Sequence, residues 1–442
     1  MRKVIFLMMF ILVMTIVPSS VSADEQGKEM YYYIMIDRFQ NSDASKENID
    51  INDPVAHHGG DFLGIQNRID HFKQIGVTSV ILSPIFESGT YSGFESVNYN
   101  DIQSTFGTEE ELRELIEQFN EADIDVLLHF PIDINGETET DALIGHIENW
   151  MDRIPFAGIY LPIIDGIQDD FYEDVHAVLD DYIYIGKAER DIDIDQMLEL
   201  GFDKIVHPFF YENAVQIFSD TNEPFDPLVD SDLLTHPNVI HYMELYDTDR
   251  FANVVEENGY HPRTHWRLVF THLMTIPNDL LVYQGSEMAL GGFIDDHSNN
   301  EMMTFLTGDN QIVQHMEKIS SAIEDRPSLS QGEMNLFHSD DSYLVYERKY
   351  EDESTVIAIN LSDSLKRADV QLNSDLELRG ALINDLIREN DDGTYSIVME
   401  REASNVFIVQ NDIGIYWPMV IIFVGVLGLF IIFSIVMYRK KS

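Results

Sequence analysis

The chain has no cysteine and few basic residues, and each shortage excludes a class of function. Without cysteine there are no disulfides, no thiolate chemistry and no lipid-modified N-terminal cysteine. Lysine and arginine number 27 against 78 acidic residues, which gives a formal net charge of −51. Such a charge disfavours nucleic acids and anionic lipid surfaces as partners and is typical of a solvated acidic exterior. We therefore expect a protein that does not bind nucleic acid.

Both ends of the chain are strongly apolar. Residues 1–23 have a basic start, an apolar run and a small-residue site ending at Ala23, which is the pattern of a secretory signal peptide. The mature chain is then expected to begin near Asp24. Residues 415–438 are uncharged and long enough to cross a bilayer, which predicts a transmembrane helix.

The charges beside this apolar stretch predict the topology. Three basic residues follow it at once in the tail 439–442, and basic residues stay on the cytoplasmic side of a membrane. Residues 24 to about 413 are then expected outside the cell. The prediction is a single-pass protein of the cell membrane with an N-terminal ectodomain and a cytoplasmic C-terminus.

Between these ends, the 442-residue chain is long enough for two or three domains. Short β-prone runs alternate with helical patterns through residues 24–328, and this alternation predicts a (β/α)8 barrel. Residues 329–412 show short strands separated by polar turns, which predicts a small antiparallel β-domain. The eight predicted barrel strands are 31–36, 77–83, 125–130, 158–161, 182–186, 204–207, 239–244 and 280–284.

Several ordered motifs resemble those of one family. HHGGDFLGI at 57–65 is followed by GVTSVILSPIFES at 76–88 and FGTEEELREL at 106–115, and a further match covers 265–292. Together they resemble the α-amylase family, glycoside hydrolase family 13. The resemblance implies a barrel that binds α-glucan or maltodextrin. It also implies a nucleophilic carboxylate after the fourth strand and an acid/base carboxylate after the fifth, about 5–5.5 Å apart in a retaining enzyme.

The residues at the family's catalytic positions differ from that pattern. Pro162 occupies the nucleophile position, and Lys187 occupies the acid/base position. Tyr160 stands where the family has the arginine that orients the nucleophile. Asp247, at the position that binds sugar hydroxyls, is retained. The sequence therefore predicts a divergent member whose catalytic machinery is lost.

Other positions of the resemblance predict sugar contacts. Phe94 stands where the family has a stacking tyrosine, and its ring can still pack on a sugar face. Matching the strand ends in the same way gives the complete predicted substrate-binding set: Phe94, His129, Tyr160, Tyr246 and Asp247.

Two other carboxylates could replace the missing pair. Asp165 lies three residues after Pro162, and Glu189 lies two residues after Lys187, so Glu189 shares that residue's face if the strand continues. With Asp247 they could form a new acidic cluster. The alternative is that Asp165 and Asp169 cap the helix that follows, a common use of aspartate.

A calcium site is predicted from the same resemblance. The segments NSDASKE at 41–47 and HGGD at 58–61 resemble the loop that binds calcium in cyclodextrin-forming members. Their oxygen atoms are the hard ligands that Ca²⁺ takes, whereas an ordinary turn rich in Asn and Asp would look the same in sequence. The predicted ligands are Asn41, Asp43, Glu47, the carbonyl of Gly59, and Asp61.

Three functions remain open at this point. The chain could be a non-catalytic α-glucan-binding protein at the cell surface, or an active α-glucan hydrolase with relocated carboxylates. It could also be an ancillary subunit of a membrane protein, which an apolar patch near the membrane would favour.

Overall fold

The protein is described by a computed structural model. It covers residues 27–43, 49–95, 97–133, 140–179, 181–305, 310–340, 342–412, 414 and 417–440. The predicted signal peptide, 1–23, and the predicted calcium ligand Glu47 lie outside these residues.

The first part of the chain forms the predicted barrel. Eight parallel strands close in the order β1-β10-β9-β8-β7-β6-β5-β2, while β3 and β4 pair as a separate antiparallel hairpin. These strands are β1 (Met30–Ile34), β2 (Ser79–Leu82), β3 (Phe86–Glu87), β4 (Asn98–Ile102), β5 (Asp125–His129), β6 (Gly158–Ile163), β7 (Ile183–Ala188), β8 (Lys204–Val206), β9 (Val239–Tyr242) and β10 (Asp279–Tyr283).

The interior of the barrel is unusually rich in tyrosine. Side chains alternate along a strand, so every second residue points into the barrel. Branched aliphatic residues are the common choice there. In this chain the inner cluster includes Tyr31, Tyr33, Tyr160, Tyr242 and Tyr283, all at most 3% exposed. The barrel is therefore filled by large rings that carry hydroxyl groups.

Helices alternate with the strands and cover the barrel. They are α1 (Ile36–Phe39), α2 (Phe62–Gln66), α3 (Ile69–Ile75), α4 (Glu109–Glu121), α5 (Thr140–Arg153), α6 (Asp169–Val178), α7 (Ile194–Glu199), α8 (Phe209–Ser219), α9 (Asp226–Val229), α10 (Phe251–Glu257), α11 (Pro262–Thr275), α12 (Gln311–Asp325) and α13 (Pro327–Ser330).

Two helical patterns in the sequence have different outcomes. Thr108 with Glu111 three residues later predicts a capping box, and Ile69, Phe72 and Ile75 on one face predict a single helix over 65–75. The capping box at α4 is present: Thr108 accepts from the backbone N–H of Glu111, whose side chain accepts from the N–H of Thr108. The single helix predicted over 65–75 is wrong, because the segment is divided into α2 and α3. Asn67 ends α2, its N–H donating to the carbonyls of Leu63 and Ile65, before the backbone leaves helical geometry at Arg68.

The part of the chain that follows the barrel forms the predicted antiparallel β-domain. Its six-stranded sheet has the order β11-β12-β13-β18-β15-β16, and β14 pairs with β17. The sequence predicts five of these eight strands, at 343–348, 355–360, 368–372, 396–399 and 405–409, and does not predict β11, β15 and β16. The strands are β11 (Glu333–Asp340), β12 (Tyr343–Tyr350), β13 (Glu353–Asn360), β14 (Lys366–Val370), β15 (Leu376–Gly380), β16 (Leu386–Arg388), β17 (Tyr395–Met399) and β18 (Ala403–Asn411).

The predicted transmembrane helix is not found among the described residues, where no helix is long and apolar enough to cross a membrane. The C-terminal segment does form a helix, α14 (Trp417–Lys440). Of its side chains, only those at 420–435 and 437 are described.

A buried histidine under the barrel gives the first prediction. His272 is fully buried between the rings of Phe210, Phe218 and Tyr346, whose centroids lie 5.8 to 5.9 Å from it. This burial lowers its pKa from 6.5 to about 3. Between these values the unfolded chain binds a proton that the native protein does not, so the free energy of unfolding decreases as pH falls below about 6.5.

His272→Phe should therefore make the acid dependence of stability shallower. We expect the slope to fall by up to about 1.4 kcal/mol per pH unit between pH 6 and 4. Urea unfolding at a series of pH values measures it. The control is His297→Asn, which changes an exposed histidine in left-handed backbone geometry and should leave the slope unchanged. An identical slope in His272→Phe and wild type would contradict the prediction.

Candidate functional site

The two residues that the sequence motifs match to catalytic positions lie side by side at the mouth of the barrel. Pro162 in β6 and Lys187 in β7 are direct partners in the parallel register. Pro162 comes two residues after Tyr160, so both belong to the inward-facing set of β6. Both residues therefore lie at the C-terminal ends of their strands, where barrels of this kind carry their chemistry.

The predicted sugar-contacting residues form one aromatic cluster at this mouth. The ring of Phe94 lies 5.1 Å from His129 and 5.0 Å from Tyr246, and His129 lies 4.8 Å from Tyr160. Tyr33 completes the cluster, 4.8 Å from Tyr246. We call these five residues the aromatic cluster. They pack at distances typical of favourable ring pairs, so the centre of the mouth is filled.

His129 is the polar centre of the aromatic cluster. It is 2% exposed, and its Nδ1 lies 2.7 Å from the hydroxyl of Tyr33. Burial, and then the nearby charge of Lys187, holds the pKa of His129 well below its ordinary value. The ring is therefore neutral at physiological pH and stabilises the packing of the cluster without adding charge.

Lys187 and Asp247 form an ion pair at the edge of the aromatic cluster. The ammonium group of Lys187 donates to Oδ2 of Asp247 and lies 5.6 Å from the ring centroid of Tyr246. The lysine side chain is 4% exposed and the aspartate 38%, so the carboxylate faces solvent and the amine faces the protein. The mouth thus holds a neutralised pair where the family pattern has two carboxylates.

The proposed replacement carboxylates lie elsewhere. Asp165 and Glu189 line a separate cleft of about 570 Å³ beyond the ends of β6 and β7. The strand β7 ends at Ala188, so Glu189 does not continue the face of Lys187 as the sequence predicted. Asp165 binds the exposed Arg190, 2.6 Å from its Nη2, while Asp247 pairs with Lys187. The structure therefore does not bring the predicted acidic cluster together.

The alternative prediction, that Asp165 and Asp169 cap the helix that follows, is also wrong. Gln168 occupies the N-cap of α6, and no side chain caps it there. Asp169 is the first residue of the helix, and its Oδ2 accepts from the side chain of Gln196.

Tyr33 is the site residue that the sequence analysis missed. It could have been found from the alternation of Tyr31 and Tyr33 in β1, which predicts that both point into the barrel. Its role as partner of His129, 96 residues away, was not visible in the sequence.

The predicted calcium loop is partly assembled, but hydrogen bonds of the chain use its oxygens. Asp61 caps α2, its Oδ1 lying 2.5 Å from the N–H of Gly64, while Oδ2 accepts from Ser42 N and Oγ at 3.0 and 2.7 Å. Oδ1 of Asn41 accepts from Asp43 N at 2.9 Å. Within the described ranges no group of three or more His, Asp or Glu residues could hold a metal ion. Because the predicted ligand Glu47 lies outside the described residues, the calcium site stays a prediction.

Comparison with known proteins agrees with the fold and the motifs. Residues 33–139 match the model of the α-amylase catalytic domain, and residues 332–407 match that of the α-amylase C-terminal domain. The α-amylase of Anoxybacillus is 26% identical, with a TM-score of 0.80 over 88% of this chain and 99% of that one. The α-amylase of Geobacillus thermoleovorans, solved with acarbose, is 26% identical, with a TM-score of 0.77 over 87% and 98%.

Two curated relatives match most of this chain at lower identity. A β/α-amylase of Paenibacillus polymyxa is 21% identical over 88% of this chain and 38% of its own length. A cyclomaltodextrinase of Thermoanaerobacter pseudethanolicus is 21% identical over 75% of this chain and 70% of its own. The chain spans between 26% and 38% of the length of the Paenibacillus protein and two further relatives. The barrel, the C-terminal β-domain, the motifs and these similarities lead to one conclusion: the chain belongs to the α-amylase family, glycoside hydrolase family 13.

Proposed function

We propose that this protein binds α-glucan or maltodextrin without cleaving it. The observation that carries the proposal is the Lys187–Asp247 ion pair, which stands beside Pro162 where a retaining glycosidase needs two carboxylates. The relatives named as α-amylases and as a cyclomaltodextrinase support an α-glucan as the ligand.

The loss of cleavage follows from the chemistry of these side chains. Retaining hydrolysis needs a nucleophilic oxygen on one face of the sugar and a proton donor at the leaving oxygen. Pro162 has no nucleophilic atom. The ammonium of Lys187 already donates to Asp247, and neutral His129 is buried within the aromatic cluster. Asp247 can still accept bonds from sugar hydroxyls, because its carboxylate is partly exposed.

The binding surface is the outer side of the aromatic cluster. Phe94 and Tyr246 are both half-buried, so each ring presents an edge or face to solvent beside Asp247. Aromatic rings next to a hydrogen-bonding carboxylate suit a sugar, which has both apolar faces and hydroxyl groups.

Titration calorimetry of the full-length protein with maltoheptaose tests the proposal. We expect saturable binding that Phe94→Ala weakens at least tenfold. Tyr350→Ala, which removes an exposed aromatic ring from the β-domain, is the control and should bind normally. Absence of binding by wild type, or an equal loss in both variants, would refute the proposal.

One observation favours a second candidate, an active hydrolase. Asp165 and Glu189 share a cleft of about 570 Å³ near the strand ends, large enough for a sugar. We rank it below the binding proposal, because Asp165 is 76% exposed and already paired with Arg190.

We also propose that the C-terminus anchors the protein in the cell membrane with the barrel outside. The support is the sequence of 415–438, uncharged and followed by basic residues, together with the exposed apolar side chains of α14. Protease added to intact cells should then remove residues 24 to about 413 and leave a small membrane-bound fragment. Full protection of the barrel in intact cells that becomes sensitive on lysis would contradict this topology.

A calcium ion at the 41–61 loop remains a proposal, supported by the set of oxygen ligands in the sequence. If the ion binds, chelator should lower the melting temperature of wild type, because a ligand of the native state stabilises it by mass action. Asp61→Asn should lose this response. Wild-type melting that is unchanged by chelator would show that Asp61 serves only as the helix cap.

A further inference from the structure

A polar cleft lies between the barrel and the β-domain, away from the mouth. Helices α11 and α12 form its walls, and Ser404 at the start of β18 belongs to its lining. Its volume is about 230 Å³. We call it the interdomain cleft.

Each helix contributes one face to the interdomain cleft. On α11 the lining residues are Thr264, Arg267 and Leu268. On α12 they are Gln311, Gln314, His315 and Lys318. Both sets follow the i, i+3, i+4 spacing of a single helix face, so these side chains converge on one space.

The cleft is cationic in a strongly anionic protein. Its charged lining residues are Arg267, Lys318 and a single carboxylate, Glu402, which lies 3.2 Å from Nε2 of the buried His265. The chain has 27 basic and 78 acidic residues, so composition alone would not predict a cleft, among the described residues, with more cations than carboxylates. An arginine and a lysine that converge in a cleft form a typical site for phosphate.

Part of this donor capacity is unused. Among the described residues, Nε of Arg267 is buried without an acceptor. Lys318 makes a long bond, 3.3 Å, to the carbonyl of Leu382. Helix α12 begins at Gln311, which also belongs to the lining of the cleft.

The floor of the cleft is a chain of hydrogen-bonding groups. Nε2 of His315 lies 2.8 Å from Oγ1 of Thr271, which lies 2.7 Å from Oγ of Ser404. Burial, and then the charge of Arg267, lowers the pKa of His315 to about 3. The ring is thus neutral at physiological pH and adds no charge to the cleft.

We propose that the interdomain cleft binds a small phosphate or phosphate monoester. Arg267 and Lys318 hold the charge of the phosphate oxygens. The remaining volume beside Leu382 and Ile383 accommodates a small organic group on the ester. This inference does not rest on glucan binding at the barrel mouth.

Titration calorimetry of the full-length protein with inorganic phosphate, at constant ionic strength, tests it. We expect saturable binding at one site, at least tenfold weaker in Arg267→Gln/Lys318→Gln. The matched control is Lys73→Gln/Lys349→Gln, which removes two charges from exposed lysines elsewhere and should bind as wild type does. Absence of saturable binding by wild type, or an equal loss in the control, would overturn the proposal.

Two further measurements complete the test. The single variant Lys318→Gln changes an exposed side chain and should fold, so weaker phosphate binding there supports the site even if the double variant is unstable. Unchanged binding in Lys318→Gln would overturn the role of this cation. Glucose 1-phosphate, titrated in parallel, shows which ligand the cleft binds. Tighter binding than that of inorganic phosphate indicates a phosphate monoester, and equal binding indicates free phosphate.

Discussion

Purified full-length protein should hydrolyse starch, maltodextrin and aryl maltosides no faster than background. We expect a rate at least about 10⁴-fold below that of an α-amylase assayed in parallel, since loss of a nucleophile or an acid/base each removes a large part of the acceleration. Pro162 and Lys187 are adjacent in register, so both losses occur at one place in the barrel.

Variants of the second cleft decide whether other carboxylates have taken over. Asp165→Asn and Glu189→Gln should leave both the background rate and maltoheptaose binding unchanged, because neither residue belongs to the mouth. Rapid hydrolysis by wild type, abolished by either substitution, would show that this cleft is catalytic and that the protein is an enzyme.

Asp247→Ala should destabilise the protein by about 2 kcal/mol, whereas Lys187→Met should change its stability by less than about 1 kcal/mol. Removing the aspartate leaves a lysine ammonium that is 4% exposed without its carboxylate partner. Removing the lysine leaves a carboxylate that is 38% exposed and can be hydrated. Methionine keeps the length of the lysine stem and can pack against Tyr246.

Urea unfolding of the two single variants and of Lys187→Met/Asp247→Ala measures this asymmetry. The double variant should be more stable than Asp247→Ala alone, because it no longer buries an unpaired charge. The control is Asp165→Ala, which breaks the exposed pair with Arg190 and should leave the free energy of unfolding nearly unchanged. Equal losses of unfolding free energy in Asp247→Ala and Lys187→Met would contradict the expectation that the buried lysine depends on its carboxylate partner.

Local patterns were sufficient for most of the fold. Strand periodicity located the eight barrel strands, and the motif at 106–115 located α4 with its capping box. These features depend on neighbours within a few residues. The break between α2 and α3 was missed because apolar spacing continues through Asn67, although the backbone does not.

The candidate site likewise has features that the sequence determines and features that it does not. The sequence alone determined the identities at the strand ends: Pro162, Lys187 and the retained Asp247. Since strand register follows from alternation, their placement at the barrel mouth could be predicted as well.

Only the tertiary structure decided how these groups are paired. Lys187 meets Asp247 across 60 residues and Tyr33 meets His129 across 96, because closing the barrel brings distant strand ends to one mouth. Similarly, β7 ends at Ala188 and Asp165 pairs with Arg190. Asp165 and Glu189 therefore lie apart from that mouth. Sequence fixes which side chains a barrel presents, whereas burial and closure determine which charges neutralise each other and which remain available to a ligand.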